Sequence, residues 1–544
     1  MSTDRVLIIA LLLALAFSLH GIHWGSVEEW NPDQMAFKTL FHQGELPLNP
    51  KEFLKPPFHT YFNFFLSTVP FYVLGNILSV DFLHGPRLLW SRALTVLLFM
   101  GSVILVFQIS KRFFGIFAAR MITLLFSTSA GFIAFNHFLT VDIPVMFWML
   151  LAFCFTQNIL IGGSVRDYLL SGFFTGIATA TKYNGLGVGI ALVVAHLLSL
   201  KSDSWKEAVF DKKLVAGLLL VAVGFIVGNP FSVLDYPTFI LDFMRNYAIT
   251  PVYDGVNTGH GYAQFFVNMV EIVGLPSFLV FSLGAGASWY LLFRVKGISG
   301  QKKGMLLLLS VLLLYYWKIG SFPRLPVRFV LPVVPVWLMM SGPFWERIRA
   351  YGSIWRVLFV ILISYNLVCS FYVGNRFLED PRMEAQSWVK VKIPEHSSIE
   401  FTNYSPDFNK IVSLEAKGMP FISGKARLLG PLFREDLWVR EIIAQTERLQ
   451  DESWYSLERL MIRQPEYIAI NSLYYERFID SKTGDLYPSI EKFFAELIGE
   501  KYPYKIVFDR ESKKPPTWVY PQKIDFLHNR MTILKREVSP VYGK

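Results

Sequence analysis

The sequence predicts a polytopic α-helical membrane protein that ends in a soluble α/β region. Three observations carry this. Hydrophobic residues make up 53% of the 544 residues and charged residues only 17%, where a soluble domain carries about 25% charged residues. The apolar residues gather in runs long enough to cross a bilayer, about 20 residues each, or fewer where one end is embedded in protein. After Tyr372 acids and bases mix, and short β-rich runs alternate with helical ones.

Taken in order, the spanning runs are Val6–Ile22, Leu88–Ile109, Phe114–Phe135, Ile143–Ile161, Tyr168–Ala180, Leu186–Leu200, Leu214–Gly228, Phe265–Phe293, Met305–Trp317, Phe329–Phe344 and Trp355–Val373, about eleven spans by length. The first has the apolar stretch of a signal peptide but no small-x-small site after it, so it counts as a span. Phe58–Val80 is also long enough, with Pro70 inside it. Parity decides its place. If it does not cross, Lys111, Arg112 and Arg120, then Lys201, Lys206, Lys212 and Lys213, then Arg294, Lys296, Lys302 and Lys303, then Arg347, Arg349 and Arg356 all fall on the cytoplasmic side, as the positive-inside rule requires. The expectation is therefore an interfacial or re-entrant helix pair hinged near Pro70, with the N-terminus inside and the C-terminal region outside, in a plasma (inner) membrane.

The chain divides at residues 1–375 and 376–544. In the second part, Arg382–Val391, Leu437–Leu449 and Ile490–Leu497 read as helices. Ser398–Phe401, Tyr467–Ile470, Tyr504–Phe508 and Met531–Leu534 read as strands. The net charge of +10 lies largely in short loops between apolar runs, where it sets topology, and does not imply a nucleic-acid partner. Cys154 and Cys369 both lie in apolar runs and form neither a disulfide framework nor a metal spacing.

On this topology Glu28, Glu29, Asp33, Lys55, Arg87, Arg92, Asp142, Lys182, His260, Arg324 and Arg328 share one membrane surface, and ionisable residues at spans are functional candidates. Asn31-Pro32-Asp33 starts a short amphipathic helix, so Asp33 either complements the helix dipole or acts chemically. Asp142, followed by Pro144, is again a first-turn carboxylate. Lys182 stands between two Gly-rich half-length runs whose small residues suit a pocket. Lys55-Pro56-Pro57 fixes a lysine beside a stiff turn. Arg92 and Arg328 each sit at a span end, where an arginine serves either as an anchor or as a phosphate ligand. The long loop Gly228–Phe265 offers His260 and Tyr262 as ligand contacts.

Six stretches, NPDQMAF, KPPFHTYF, LTVDIPVMFW, GIATATKYNGL, GNPFSVLDYPTF and RFVLPVVPVWL, occur in an order that resembles the GT-C membrane glycosyltransferases using polyprenyl-phosphate sugars. The closest branch looks like that of the protein O-mannosyltransferases and lipid A aminoarabinose transferases. The resemblance covers about residues 1 to 345 and implies a GT-C-like fold. Gln34 and Leu54 stand where relatives often carry an acid, which leaves a divalent metal open. The implied donor is a sugar on a polyprenyl monophosphate, and the acceptor a lipid, glycan or protein hydroxyl. Lys55, Arg92, Lys182 and Arg328 would then stabilise the leaving phosphate. Asp33 would be the base, with Asp142 supporting it or the acceptor, and in-line attack would invert the anomeric centre. Glu28, Glu29, His260 and Tyr262 would contact acceptor or sugar. Two other readings compete: a transporter or flippase of a lipid-linked sugar, which should show paired halves with broken helices, and an assembly protein whose spans only anchor the outer region.

Overall fold

A computed structural model describes residues 4–25, 30, 48–78, 85–200, 210–249, 261–294, 299–322, 325–411, 413–420, 422, 452–479, 485, 487–524 and 526–537. All eleven apolar runs are largely helical. In order, the membrane region contains α1 (Arg5–Leu19), α2 (Phe58–Asn63), α3 (Val69–Leu78), α4 (Gly85–Phe114), α5 (Ile116–Ser127), α6 (Ala130–Asn136), α7 (Asp142–Ile159), α8 (Val165–Thr181), α9 (Gly189–Ser199), α10 (Lys212–Gly228), α11 (Phe231–Leu234) and α12 (Tyr236–Ile249). It continues through α13 (Gly261–Val273), α14 (Leu275–Arg294), α15 (Gly300–Gly320), the short helices α16 (Val327–Val330), α17 (Val334–Met339) and α18 (Gly342–Ile348), and α19 (Ile354–Leu378). Among the described residues six helices are long and apolar enough to cross a membrane, or seven if the α5–α6 pair, bent by 53°, counts as one span.

Several expectations are corrected. The hinge at Pro70 is instead a π-turn, Phe64–Thr68, that joins α2 to α3 without a break. Proline cannot donate to the carbonyl four residues back, which frees the Leu66 oxygen. Trp90 of α4 donates its indole N–H to that oxygen at 2.9 Å, a repair from a neighbouring helix. The single span expected over Phe265–Phe293 is two helices parted at Gly274, whose φ of +79° suits glycine. Part of the expected loop after Gly228 is helical, as α11 and α12.

Helix directions follow from contacts at both ends. Near the ends of α4 and α7, Gln157 donates to Ile109 O at 3.1 Å and Arg112 touches Asn158, so these helices run parallel. α8 returns beside α7, with Thr156 and Ser171 hydroxyls 2.6 Å apart. α10 then runs parallel to α8 in backbone contact. A Cβ at Gly172 would strike Gly217 O, one at Gly176 would strike Val221 O, and one at Gly224 would strike Phe173 O. The starts of α4 and α7 and the ends of α8 and α10 therefore lie on one face. Lys111, Arg112, Arg166, Lys212 and Lys213 lie on the other. Lys302 and Lys303 join that basic face, because Gly304 packs on Phe113. So does the Arg347–Arg349 turn, where Glu346 accepts from Ala118 N at 3.0 Å.

The C-terminal part holds a five-stranded mixed sheet of order β2-β1-β3-β5-β4, built from β1 (Ser398–Phe401), β2 (Glu415–Gly418), β3 (Tyr467–Asn471), β4 (Tyr504–Glu511) and β5 (Arg530–Arg536). β1 pairs parallel with β2 and β3, and β5 pairs antiparallel with β3 and β4. β3 is buried at every position, as a central strand covered on both sides is. The helices α20 (Pro381–Lys392), α21 (Leu457–Arg463), α22 (Ser472–Ile479) and α23 (Pro488–Ile498) accompany it. The helix expected at Leu437–Leu449 lies outside the described residues. The strand Glu415–Gly418 was not expected.

Between β4 and β5 the chain docks on the membrane helices. Glu271 of α13 accepts from Gln522 N at 2.7 Å, Arg376 of α19 donates to Pro521 O at 2.7 Å, and Tyr365 donates to Trp518 O at 2.9 Å.

Candidate active site

On the face away from the basic loops, two sequence candidates form one pair. Asp142 opens α7, where a carboxylate is favoured by the helix dipole. Lys182 ends α8 in an extended conformation, φ −155° and ψ 131°, which turns its side chain out of the helix line. Lys182 Nζ donates to Asp142 Oδ1 at 2.7 Å, with the side chains 18% and 3% exposed. The ammonium also lies 4.7 Å from the Phe329 ring centre, and the Arg328 guanidinium lies 6.0 Å from the same ring. Arg328 and Lys55 both act on Lys182 through their charges. Lys182 thus sits on one buried carboxylate with two further cations near it, an arrangement with the charge to hold a phosphate through charge-assisted contacts.

Lys55 is exposed, but its backbone is anchored. Phe53 N donates to Asp242 Oδ2 at 2.8 Å, Tyr183 OH donates to Phe53 O at 2.7 Å, and Asn246 donates to Leu54 O. Asn49 donates to Asp235 at 2.8 Å. The segment before the Pro56-Pro57 turn is therefore seated on α12 and on the residue after Lys182.

Arg92 has a different setting. It is fully buried, 5.7 Å from the Trp24 ring centre. Its Nη1 donates to Ile22 O at 2.6 Å and to Trp24 O. The turn that follows α1 therefore engages Arg92, whereas Phe329, Asp142 and their partners engage Lys182. Tyr262 meets Tyr316 edge-on, with ring centres 5.2 Å apart, and donates to Trp317 O at 3.3 Å, on the end of α15. Glu28, Glu29, Asp33, His260 and Arg324 lie outside the described residues.

Two buried side chains escaped the sequence reading. Asn229 follows Gly228, which packs on Ala180 and Phe58. It is fully buried, and neither amide atom has a partner among the described residues. His59, four residues after Lys55, is fully buried with Asn63 on Nε2 at 3.1 Å and no partner for Nδ1 among the described residues. The only sequence signal was their place inside GNPF and KPPFH. Among the described residues no group of three or more His, Cys, Asp or Glu is placed to hold a metal ion, and the Asp142 carboxylate is engaged by Lys182. The described residues therefore do not fit a metal centre.

No curated protein matches the chain. Among solved structures, the oligosaccharyltransferase of Archaeoglobus fulgidus in its apo form is 13% identical with a TM-score of 0.49, covering 94% of this chain and 80% of its own. ArnT from Cupriavidus metallidurans bound to undecaprenyl phosphate is 13% identical with a TM-score of 0.49, covering 99% and 98%. The Pmt1-Pmt2 complex of S. cerevisiae bound to the sugar donor is 14% identical with a TM-score of 0.32, covering 44% and 35%. Residues 82–228, the stretch carrying Arg92, Asp142 and Lys182, match the family described as dolichyl-phosphate-mannose-protein mannosyltransferase, and in this the chain resembles the GT-C membrane glycosyltransferases.

Proposed function

We propose that this chain is a glycosyltransferase that moves a sugar from a polyprenyl-phosphate donor to an acceptor hydroxyl, with inversion, at the membrane face opposite its basic loops. The observation that carries the reading is the Asp142–Lys182 pair at 2.7 Å, which lies in the segment matching the dolichyl-phosphate-mannose-protein mannosyltransferase family, with Arg328 and Lys55, from outside that segment, acting on Lys182 through their charges. By the positive-inside rule the basic face is cytoplasmic, so the site and the region 376–544 lie outside.

In this reading Lys182, Lys55 and Arg328 hold the phosphate and stabilise the charge it gains as the glycosidic C–O bond breaks. Asp142 keeps Lys182 pointed at that charge, and its engaged carboxylate is not the base. Asp33 takes the acceptor proton while the acceptor oxygen attacks the anomeric carbon from the opposite side. Arg92 acts through the turn at Ile22–Trp24.

The test is purified protein in liposomes with a radiolabelled polyprenyl-phosphate sugar and a cell-envelope acceptor fraction. Acceptor-dependent release of free polyprenyl phosphate supports the proposal. Intact donor arriving on the other leaflet, with no release, would replace it with a flippase.

A further inference from the structure

We infer that α12 and Tyr183 set the position of Lys55, with Asp242 and Tyr183 as positioning residues for the phosphate site. The inference rests on the reading of Lys55 as a phosphate ligand.

Lys55 is exposed, and the stretch 48–57 around it is neither helix nor strand. Its backbone polar groups therefore need partners from elsewhere. α12 supplies them. Asp235, Phe239, Asp242 and Asn246 recur every three to four residues and so line one face of that helix. From this face Asp235 accepts from Asn49 Nδ2 at 2.8 Å, Asp242 Oδ2 accepts from Phe53 N at 2.8 Å, and Asn246 donates to Leu54 O. The Phe239 ring meets the fully buried Phe53 ring edge-on, with centres 5.7 Å apart. The other face carries Ile240, Leu241 and Met244, all exposed, the side that an interfacial helix gives to lipid.

Tyr183 closes the arrangement. It follows Lys182 directly, donates its OH to Phe53 O at 2.7 Å, and meets Phe243 of α12 edge-on at 5.1 Å. Phe53 is thus held at its N–H by α12 and at its carbonyl by the neighbour of Lys182. Earlier in the segment Leu48 and Lys51 take φ of +70° and +57°, a region that residues with a Cβ rarely enter. Such backbone persists where its surroundings over-determine it. Tyr61 OH donates to Leu48 O at 3.0 Å, and Lys51 N donates to Asn49 Oδ1 at 3.1 Å. Lys55 follows Phe53 by two residues, and its charge acts on Lys182. Like charges repel, so the bond from Tyr183 to Phe53 keeps the two ammonium groups together before a phosphate arrives. Holding the segment in advance lowers the ordering cost of binding.

The measurements are polyprenyl-phosphate affinity and thermal unfolding of the full chain in nanodiscs. The variants are Lys55→Met, Tyr183→Phe, Asp242→Ala and Asp242→Asn, with Tyr183→Phe and Asp242→Ala each also combined with Lys55→Met. Lys55→Met should weaken binding about 10-fold, the lower end for a lost charge-assisted contact, because Lys55 is exposed. Tyr183→Phe keeps the ring against Phe243 and loses only the bond to Phe53. It and Asp242→Ala should each weaken binding several-fold, by no more than Lys55→Met does. Asp242→Asn keeps an oxygen for Phe53 N and should bind as the unsubstituted protein does. In the Lys55→Met background neither anchor substitution should cost further affinity, because residues acting as one unit are non-additive. An equal loss of affinity in both backgrounds shows a purely structural role and overturns the inference. Full affinity of Tyr183→Phe and Asp242→Ala beside a weakened Lys55→Met overturns it too. Should Asp242→Ala fail to fold, Tyr183→Phe decides by the same comparison. Unchanged affinity of Lys55→Met overturns the reading beneath it.

Discussion

Replacing Lys182 with methionine separates two roles that one ion pair combines. In the folded protein Asp142 is 3% exposed and its charge is met by Lys182 at 2.7 Å. Removing one partner of such a pair leaves a buried charge uncompensated, at a cost of about 3–5 kcal/mol. The lower end applies, since Lys182 keeps 18% exposure and Arg328 and Lys55 act on the same spot. Lys182→Met should thus lower stability by about 3 kcal/mol. Lys182→Met/Asp142→Asn removes the stranded charge and should recover most of that. Donor binding should not recover. A lost charge-assisted contact to phosphate costs about 1.5–3 kcal/mol, or about 10- to 150-fold in Kd. Thermal unfolding in detergent reads the first quantity, and titration with polyprenyl phosphate reads the second. If the double variant regains both stability and donor affinity, Lys182 serves only Asp142 and the phosphate assignment is wrong.

Asp33→Asn should lower turnover by about 10²–10⁴-fold with donor binding intact, whereas a helix-terminal charge contributes only about 0.3–1 kcal/mol; turnover within a few-fold of normal would move the base elsewhere. A cysteine at position 207, in protein lacking Cys154 and Cys369, should react with an impermeant maleimide only after the membrane is opened, and labelling of intact cells would invert the topology. His528, desolvated by burial and beside Arg376, is held neutral down to about 4 rather than 6.5. Its contribution to the docked segment between β4 and β5 is complete above pH 6.5 and lost as pH falls towards 4. His528→Gln should flatten that part of the pH–stability curve, as read by hydrogen exchange at residues 518–524.

The helices were legible because apolar length is a local property. Each of the eleven apolar runs is largely helical, and among the described residues four of the five strands stand where β-rich sequence placed them. What escaped depends on partners far along the chain. Pro70 read as a hinge because it lacks an N–H, and nothing local reveals that Trp90 supplies the missing donor. Glu415–Gly418 has no β-forming residues and becomes a strand by pairing with Ser398–Phe401. Asp142 and Lys182 were each named from their neighbours. Their contact follows only from α8 returning beside α7, and no spacing expresses that. Arg92 looked like one more cation at a span end, yet carbonyls of the turn after α1 engage it.

The seam between α8 and α10 has a mechanical meaning beyond packing. Both helices have 17 residues. Their backbones touch at Gly172, Gly176, Gly217 and Gly224, so neither slides or turns without the other. They work as a gauge block that sets how far Lys182 and Asn229 stand from the basic face. One residue inserted in either helix would rotate its end by about 100° and lift it by about 1.5 Å, and the seam would no longer close. The separation between the charged face that orients the protein and the ammonium at its candidate site is thus fixed by glycines within the two helices, at neither end of them.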